Sequence, residues 1–225
     1  MSYDLKLYEE FMLLALKEES GTVAASESIE YPLAAAIMTE LMLNKRVELL
    51  PAEDEKQKIR LLDPSTLHDE ILDEALSKIA KSKREQTLGE WIEVLATLSK
   101  LVQRVARKLC RSGILRVDEE RILMLFKRKV YPELDPEPER EIVERLRKAI
   151  FSDDSNVDPR DAVLVALANQ TYLLHQKFDK NDLKAREDRI KQISEGSLTA
   201  SAPKEAVEAM NTALLVAVFI PIIFD

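Results

Sequence analysis

Residues 158–176, DPRDAVLVALANQTYLLHQ, are the stretch that most strongly defines the fold. An Asp-Pro pair at its start is a signal for the beginning of a helix, because the first turn does not need the amide proton that proline lacks. Beyond this pair the apolar residues cover nearly every face of the helix. A helix of that kind is stable only when other elements surround it, so we predict a central, nearly fully buried helix over residues 163–174.

A second apolar segment lies at the end of the sequence. The run ALLVAVFIPIIF, residues 213–224, is 12 residues long and contains Pro221. A helix needs about 20 apolar residues to cross a membrane, so this run is too short to do so. We therefore predict a second central, buried helix over residues 206–220.

The remaining segments are mostly amphipathic helices. The chain has only four glycines among 225 residues, and this scarcity favours helices over a turn-rich β fold. Residues 88–113 are predicted to form one long helix that ends at Gly113. Two pairs of short strands are predicted to form hairpins: RVELL with QKIRLLD, and ILRV with ILMLF around the acidic turn DEER. The sequence thus predicts one mostly α domain over residues 1–225, with two central hydrophobic helices and two small β-hairpins.

The residue types that support catalysis or metal binding are scarce. The chain has one cysteine, Cys110, and two histidines, His68 and His175, and neither histidine has a partner at ligand spacing. Its glycines are scattered, whereas phosphate-binding loops need clustered glycines. We predict no enzyme activity, no cofactor and no metal site. A single cysteine also suits a reducing compartment such as the cytoplasm.

The charge distribution is uneven. The net charge is −8, yet residues 101–129 hold nine cations and three acids. Within this segment an apolar run, residues 122–126, is followed directly by Lys127, Arg128 and Lys129. Three interpretations are open: a core strand with a solvated end, the wing of a winged-helix nucleic-acid binder, or a membrane-contacting tip. The acidic remainder would oppose DNA or RNA phosphates, so no nucleic-acid partner is expected.

Several stretches in order resemble the Golgi phosphoprotein-3 family. They are LYEEFMLLALKEESG, AAIMTELMLNKRVEL, ILDEAL, WIEVL, RVARKLCRSGIL and LMLF followed by YP. The resemblance implies a mostly helical, non-enzymatic protein that associates peripherally with membranes. Eukaryotic members bind phosphatidylinositol 4-phosphate at the Golgi and link glycosyltransferase tails to coat proteins. Their hairpin supports membrane insertion and oligomerisation.

The headgroup site that the resemblance implies is degenerate in this sequence. The loop GTVAASESIEY, residues 21–31, lacks the family's Trp and has no cation, and the second-helix Arg of the family falls at about Ala34. The later basic pair falls near Glu141 and Glu144. Neighbouring cations that could take over headgroup binding are Arg140, Arg145 and Lys148.

The sequence therefore predicts a cytoplasmic, peripheral membrane adaptor, located on the cytosolic face of the Golgi if the cell is eukaryotic. Its expected partner is anionic lipid, with phosphatidylinositol 4-phosphate as one candidate. The predicted membrane contacts are Leu125, Phe126, Lys127, Arg128 and Lys129. The alternative is a soluble oligomeric scaffold that self-associates through residues 114–130, where an open strand edge can pair with another copy.

Overall fold

The computed structural model describes residues 3–17, 21–22, 29–50, 57–122 and 126–198, and the side chains of residues 120–128 are outside this description. Within these residues the fold is mostly helical, with two small antiparallel sheets of two strands each. The described helices are α1 (Leu7–Ala15), α2 (Glu30–Leu43), α3 (Glu70–Lys81), α4 (Leu88–Ala96), α5 (Leu101–Arg111), α6 (Glu137–Phe151), α7 (Pro159–Gln170), α8 (Leu174–Lys177), α9 (Lys180–Ala185) and α10 (Glu187–Ser194). The strands are β1 (Val47–Leu49), β2 (Ile59–Leu61), β3 (Asp118–Ile122) and β4 (Phe126–Val130).

Three helices form the centre of the described structure. Every residue of α1 is buried, and ten of the residues of α2 are buried as well. In α7 the residues from Ala162 to Ala168 are all buried. The central position of α7 was predicted from its all-round apolar surface, and α1 joins it although its sequence is amphipathic. The other predicted central helix, residues 206–220, lies outside the described residues.

The buried helix α7 is shorter than predicted. It ends at Gln170, and Tyr172 follows with a φ of 59° and a side chain that is 73% exposed. The prediction of a buried helix through residue 174 is therefore wrong for its last turn. The polar residues Asn169 and Gln170 mark the end, because they lie where α7 reaches solvent.

The predicted long helix over residues 88–113 is two helices. α4 ends at Ala96, and α5 begins at Leu101 after Lys100, which adopts a φ of 53°. The left-handed conformation of Lys100 changes the chain direction without a glycine. The predicted end at Gly113 is confirmed, since α5 stops at Arg111 and Gly113 has a φ of 75°.

Both predicted hairpins are present, but the second has a different register. β1 pairs with β2 as expected. β3 is formed by the residues predicted as the turn, and it pairs with β4 so that Asp118 lies opposite Val130 and Ile122 opposite Phe126. The hairpin connection is therefore at residues 123–125, inside the apolar run. Lys127, Arg128 and Lys129 belong to a strand and do not form its solvated end.

Candidate functional site

The base of the β3–β4 hairpin is fixed to the loop that follows α1. The amide of Tyr131 donates a hydrogen bond of 2.8 Å to the carbonyl of Gly21, and the amide of Arg116 donates one of 2.9 Å to the carbonyl of Pro132. Gly21 has a φ of 59°, and a Cβ at this position would lie 2.3 Å from the nitrogen of Pro132. Only glycine allows this close approach of two backbones. The hairpin is thus held at a defined place on the helical core.

A groove of about 600 Å³ lies between this hairpin base and α5. We call it the cationic groove, because its described lining contains three cations and no carboxylate. The cations are Lys100, Arg107 and Lys129. The other lining residues are Gly21, Thr22, Val102, Gln103, Val117 and Tyr131.

The three cations of the groove are available to a ligand. All three side chains are exposed, and among the described residues none of them forms an ion pair with a carboxylate. The Nε of Arg107 donates only to the carbonyl of Gln103, at 3.1 Å. Lys100 is the residue that precedes the first turn of α5, where the helix dipole also favours an anion. The groove is therefore suited to a phosphate or another compact anion.

Tyr131 adds a hydrogen-bond donor to the groove. Burial raises the pKa of its hydroxyl, and the nearby Cys110 adds to this effect while Arg107 opposes it. The hydroxyl therefore keeps its proton at neutral pH. A protonated phenol can donate a hydrogen bond to an anionic oxygen bound between the three cations.

The helix α5 presents different cations on two of its faces. Arg104 pairs with Glu70 at 3.0 Å and with Glu74 at 2.5 Å. Lys108 pairs with Asp69 and lies 3.4 Å from a carboxylate oxygen of Glu9. Residues 104 and 108 are one helical turn apart, as are residues 103 and 107, so each pair shares a face. The acids of α1 and α3 thus neutralise one face of α5, and the other face lines the groove.

The predicted site residues do not all meet in one place. Lys129 lines the cationic groove, whereas Phe126, Lys127 and Arg128 have their backbone in β4 and side chains outside the described part. Leu125 lies outside the described residues altogether.

The predicted headgroup cations on α6 are separated into two places. Arg140 is exposed, pairs with Glu137, and lines a cavity that neither Arg145 nor Lys148 lines. Arg145 and Lys148 instead line a cavity of about 710 Å³ beside α1. These three residues therefore do not form one binding site.

The cavity beside α1 is poorly suited to a phosphate. Its described lining has four cations, Lys6, Arg145, Lys148 and Arg160, and five carboxylates, Asp4, Glu10, Glu40, Glu141 and Glu144. Arg145 pairs with Glu10 at 2.5 Å and with Asp161 at 2.9 Å. Arg160 pairs with Glu10 at 2.8 Å and with Glu40 at 3.1 Å. An incoming phosphate would meet guanidinium groups that already have partners, together with unfavourable negative charge.

Sequence reasoning missed Lys100 and Arg107 as site residues. Arg107 belongs to the basic segment 101–129, and Lys100 directly precedes that segment. The excess of cations was therefore a signal for the region. It could not show which cations face Lys129, because that depends on how the hairpin packs against α5.

Two further findings bear on what the chain is. Across the described ranges, no helix is both long enough and apolar enough to cross a bilayer. The family model for Golgi phosphoprotein 3 (GPP34) matches residues 7–210, which is most of the chain. The chain belongs to the Golgi phosphoprotein 3 family.

Proposed function

We propose that this protein is a non-catalytic, peripheral membrane adaptor that binds anionic lipid headgroups in the cationic groove. The observation that supports this proposal is the meeting of Lys100, Arg107 and Lys129 around one groove whose described lining contains no carboxylate. In a protein with a net charge of −8, such a local excess of positive charge is a specific feature.

The position of the groove agrees with a membrane role. Lys129 belongs both to the groove and to β4, so a headgroup in the groove lies beside the hairpin. Val117, on the opposite side of the hairpin base, is 51% exposed and lines the same groove. The hairpin connection, residues 123–125, is the apolar Leu-Met-Leu. In our proposal the connection and Phe126 enter the membrane interface while the cations contact headgroup phosphates.

The strength of this attachment can be approximated from the charges. Each Lys or Arg near an anionic surface contributes about 1 kcal/mol, so the three groove cations together contribute about 3 kcal/mol. One or two inserted apolar side chains add about 2 to 4 kcal/mol before ordering costs. Attachment of this strength is reversible and sensitive to salt. Phosphatidylinositol 4-phosphate is accordingly proposed as a modestly preferred ligand among anionic lipids, and in a eukaryotic cell this preference would direct the protein to the cytosolic face of the Golgi.

The test is co-sedimentation with vesicles of graded anionic content. Reversing Lys100 and Arg107 to Glu should weaken binding by at least about 30-fold, because about 2 kcal/mol of attraction is lost. Reversing Lys78 and Lys81, which are exposed on α3, changes the net charge equally and is the matched control. If both double variants lose the same affinity, overall charge and not the groove determines binding, and the proposal fails.

The lipid preference needs a separate comparison. Vesicles carrying phosphatidylinositol 4-phosphate should bind more protein than phosphatidylserine vesicles of equal surface charge, and the difference should vanish in the Lys100→Glu, Arg107→Glu variant. Free inositol phosphate added in excess should reduce binding to the phosphatidylinositol 4-phosphate vesicles and should leave binding to the phosphatidylserine vesicles unchanged. Equal binding to both vesicle types would limit the role of the groove to nonspecific electrostatic attraction.

A second candidate function is that of an oligomeric scaffold. Within the described residues the β3–β4 sheet has two strands only, so each strand has one edge without a strand partner. Open edges can pair with the same edge of another copy. Replacing Leu125 and Phe126 by Asp should then lower the sedimenting mass in the absence of lipid. An unchanged mass, together with lost vesicle binding, would favour the membrane role.

A further inference from the structure

The β3–β4 hairpin has a narrow attachment to the helical part of the protein. Within the described residues its two strands make most of their contacts with each other, and neither strand packs extensively on a helix. The hydrogen bond from the amide of Tyr131 to the carbonyl of Gly21 lies at the base of the hairpin. Beyond this base, Asp118, Glu119 and Lys129 are exposed. Elements with few buried contacts open more easily than the core, so the paired strands are free to open and to move relative to α5.

The cationic groove receives its positive charge from both of its sides. Lys129 is a residue of β4, whereas Arg107 belongs to α5 and Lys100 directly precedes that helix. The volume of about 600 Å³ is within the range of small-ligand sites, so one headgroup can contact both sides of the groove. Without an anion these like charges repel one another, whereas a bound anion attracts all of them. A bound anion is therefore a bridge between β4 and α5.

We propose that an anionic headgroup in the cationic groove fixes the β3–β4 hairpin beside α5. The inference rests on the proposed function, because it assigns the headgroup to the same groove. Opening of β4 would withdraw Lys129 from the bound anion, so the anion disfavours this opening. The coupling is reciprocal, and contact of the hairpin with a bilayer therefore raises the affinity of the groove for the headgroup by the same factor. A headgroup within a bilayer is thereby favoured over the same headgroup free in solution.

Hydrogen–deuterium exchange of the full chain measures this coupling. The probe is inositol 1,4-bisphosphate, which is the headgroup of phosphatidylinositol 4-phosphate without its lipid. At a saturating concentration it should slow exchange of the β3 and β4 amides by about five-fold, the factor that one contact between a cation and an anionic group supplies. The β1–β2 hairpin is the internal control, because it is also a two-stranded antiparallel sheet and its strands do not line the described groove. Exchange of the β1 and β2 amides should not change.

Two single variants separate the bridge from the affinity of the groove. Lys129→Gln and Lys100→Gln each remove one exposed cation of the groove, so both should weaken binding, and both are compared at saturation. Lys100→Gln keeps Lys129 and Arg107 on opposite sides of the anion, so the slower exchange of the hairpin should persist. Lys129→Gln leaves these cations on the α5 side only, so the effect on the hairpin should be lost. Equal slowing in the two variants, or its equal loss, would overturn the proposal, because the protection would not depend on Lys129.

Titration calorimetry with the same probe distinguishes this inference from the proposed function. Binding to the wild-type protein without slower exchange in β3 and β4 would overturn the coupling and leave the headgroup site in place. No measurable binding would overturn both. Far-UV circular dichroism of each variant checks that the helical core is retained.

Discussion

Arg160 is the most heavily bonded arginine of the network beside α1, and its replacement by Met is our main stability prediction. Its Nε lies 2.8 Å from Glu10 Oε2, and its Nη1 lies 3.1 Å from Glu40 Oε2. Its Nη2 donates to the carbonyl of Leu5 at 2.6 Å. The side chains of Glu10 and Glu40 are only 8% and 4% exposed. Arg160→Met would therefore leave buried negative charge without its main cation.

The size of the effect follows from these contacts. Removing one partner of a buried ion pair costs about 3 to 5 kcal/mol in the free energy of unfolding. Two facts place Arg160→Met at the low end: its side chain is 25% exposed, and Glu10 keeps its contact with Arg145. We expect a loss of about 3 kcal/mol after this discount. For a chain of this size that corresponds to a fall in Tm of about 6 to 12 °C.

Urea unfolding of purified protein measures this loss. The control is Arg140→Met, because Arg140 is on an exposed face of α6 and its side chain is 70% exposed. This control should change the free energy of unfolding by less than about 0.5 kcal/mol. A loss below about 1 kcal/mol for Arg160→Met would refute the reasoning, since it would mean that solvent reaches Glu10 and Glu40 and replaces the guanidinium.

Two further predictions concern pH and backbone geometry. Burial raises the pKa of Asp161 from 3.8 to about 6 although Arg145 opposes the shift. The folded state therefore binds the Asp161 proton more tightly than the unfolded chain does. The stability that this protonation contributes is complete below pH 3.8 and is lost as the pH rises through about 6. Asp161→Asn should flatten that part of a Tm-against-pH curve, and an unaltered slope would contradict the shift. Gly21→Ala should lower the free energy of unfolding by well over the roughly 1 kcal/mol expected from a positive φ alone, because the added Cβ would overlap backbone atoms. Gly113→Ala is the control, since no atom lies within 4 Å of its added Cβ, and it should lower the free energy of unfolding by about 1 kcal/mol. Equal losses of stability for the two variants in thermal unfolding would contradict this expectation, because they would show that the backbone at Gly21 can move away from Pro132 without a free-energy cost.

Helix burial was predictable where apolar residues cover all faces of a helix, and not where charged residues become buried. The all-round apolar sequence of α7 indicated its central position. In α1 the pattern indicated a solvated face, yet Glu9 and Glu10 are 4% and 6% exposed. Their partners include Lys108 and Arg160, about a hundred or more residues away in sequence. Periodicity describes one helix at a time, so it cannot show that a distant cation will neutralise a carboxylate.

The helix breaks were hidden from sequence reasoning for a different reason. Lys100 and Tyr172 both adopt a positive φ, which few non-glycine residues do. Neither position has the glycine or proline that normally indicates the end of a helix. The break at Lys100 is also what brings that residue to the cationic groove. The same missing signal therefore led to an overlong helix and to an incomplete list of site residues.

The two faces of α5 explain how an acidic protein can keep a groove free of carboxylates, and they separate stability from binding. Lys108 lies on the face that the acids of α1 and α3 cover, with its side chain 23% exposed, whereas Arg107 is exposed in the groove. Lys108→Gln would leave Asp69 and Glu9 without their cation, so it should lower the free energy of unfolding by about 2 to 3 kcal/mol. Vesicle binding by the folded variant should be unchanged. Arg107→Gln removes no ion pair with a carboxylate among the described residues, so it should change the free energy of unfolding by less than about 0.5 kcal/mol. It should weaken vesicle binding by about five-fold, or roughly 1 kcal/mol. Because the two residues are adjacent and each change removes one positive charge, net charge cannot account for the difference. If both variants weaken binding equally, α5 does not divide its cations between a structural face and a ligand-binding face.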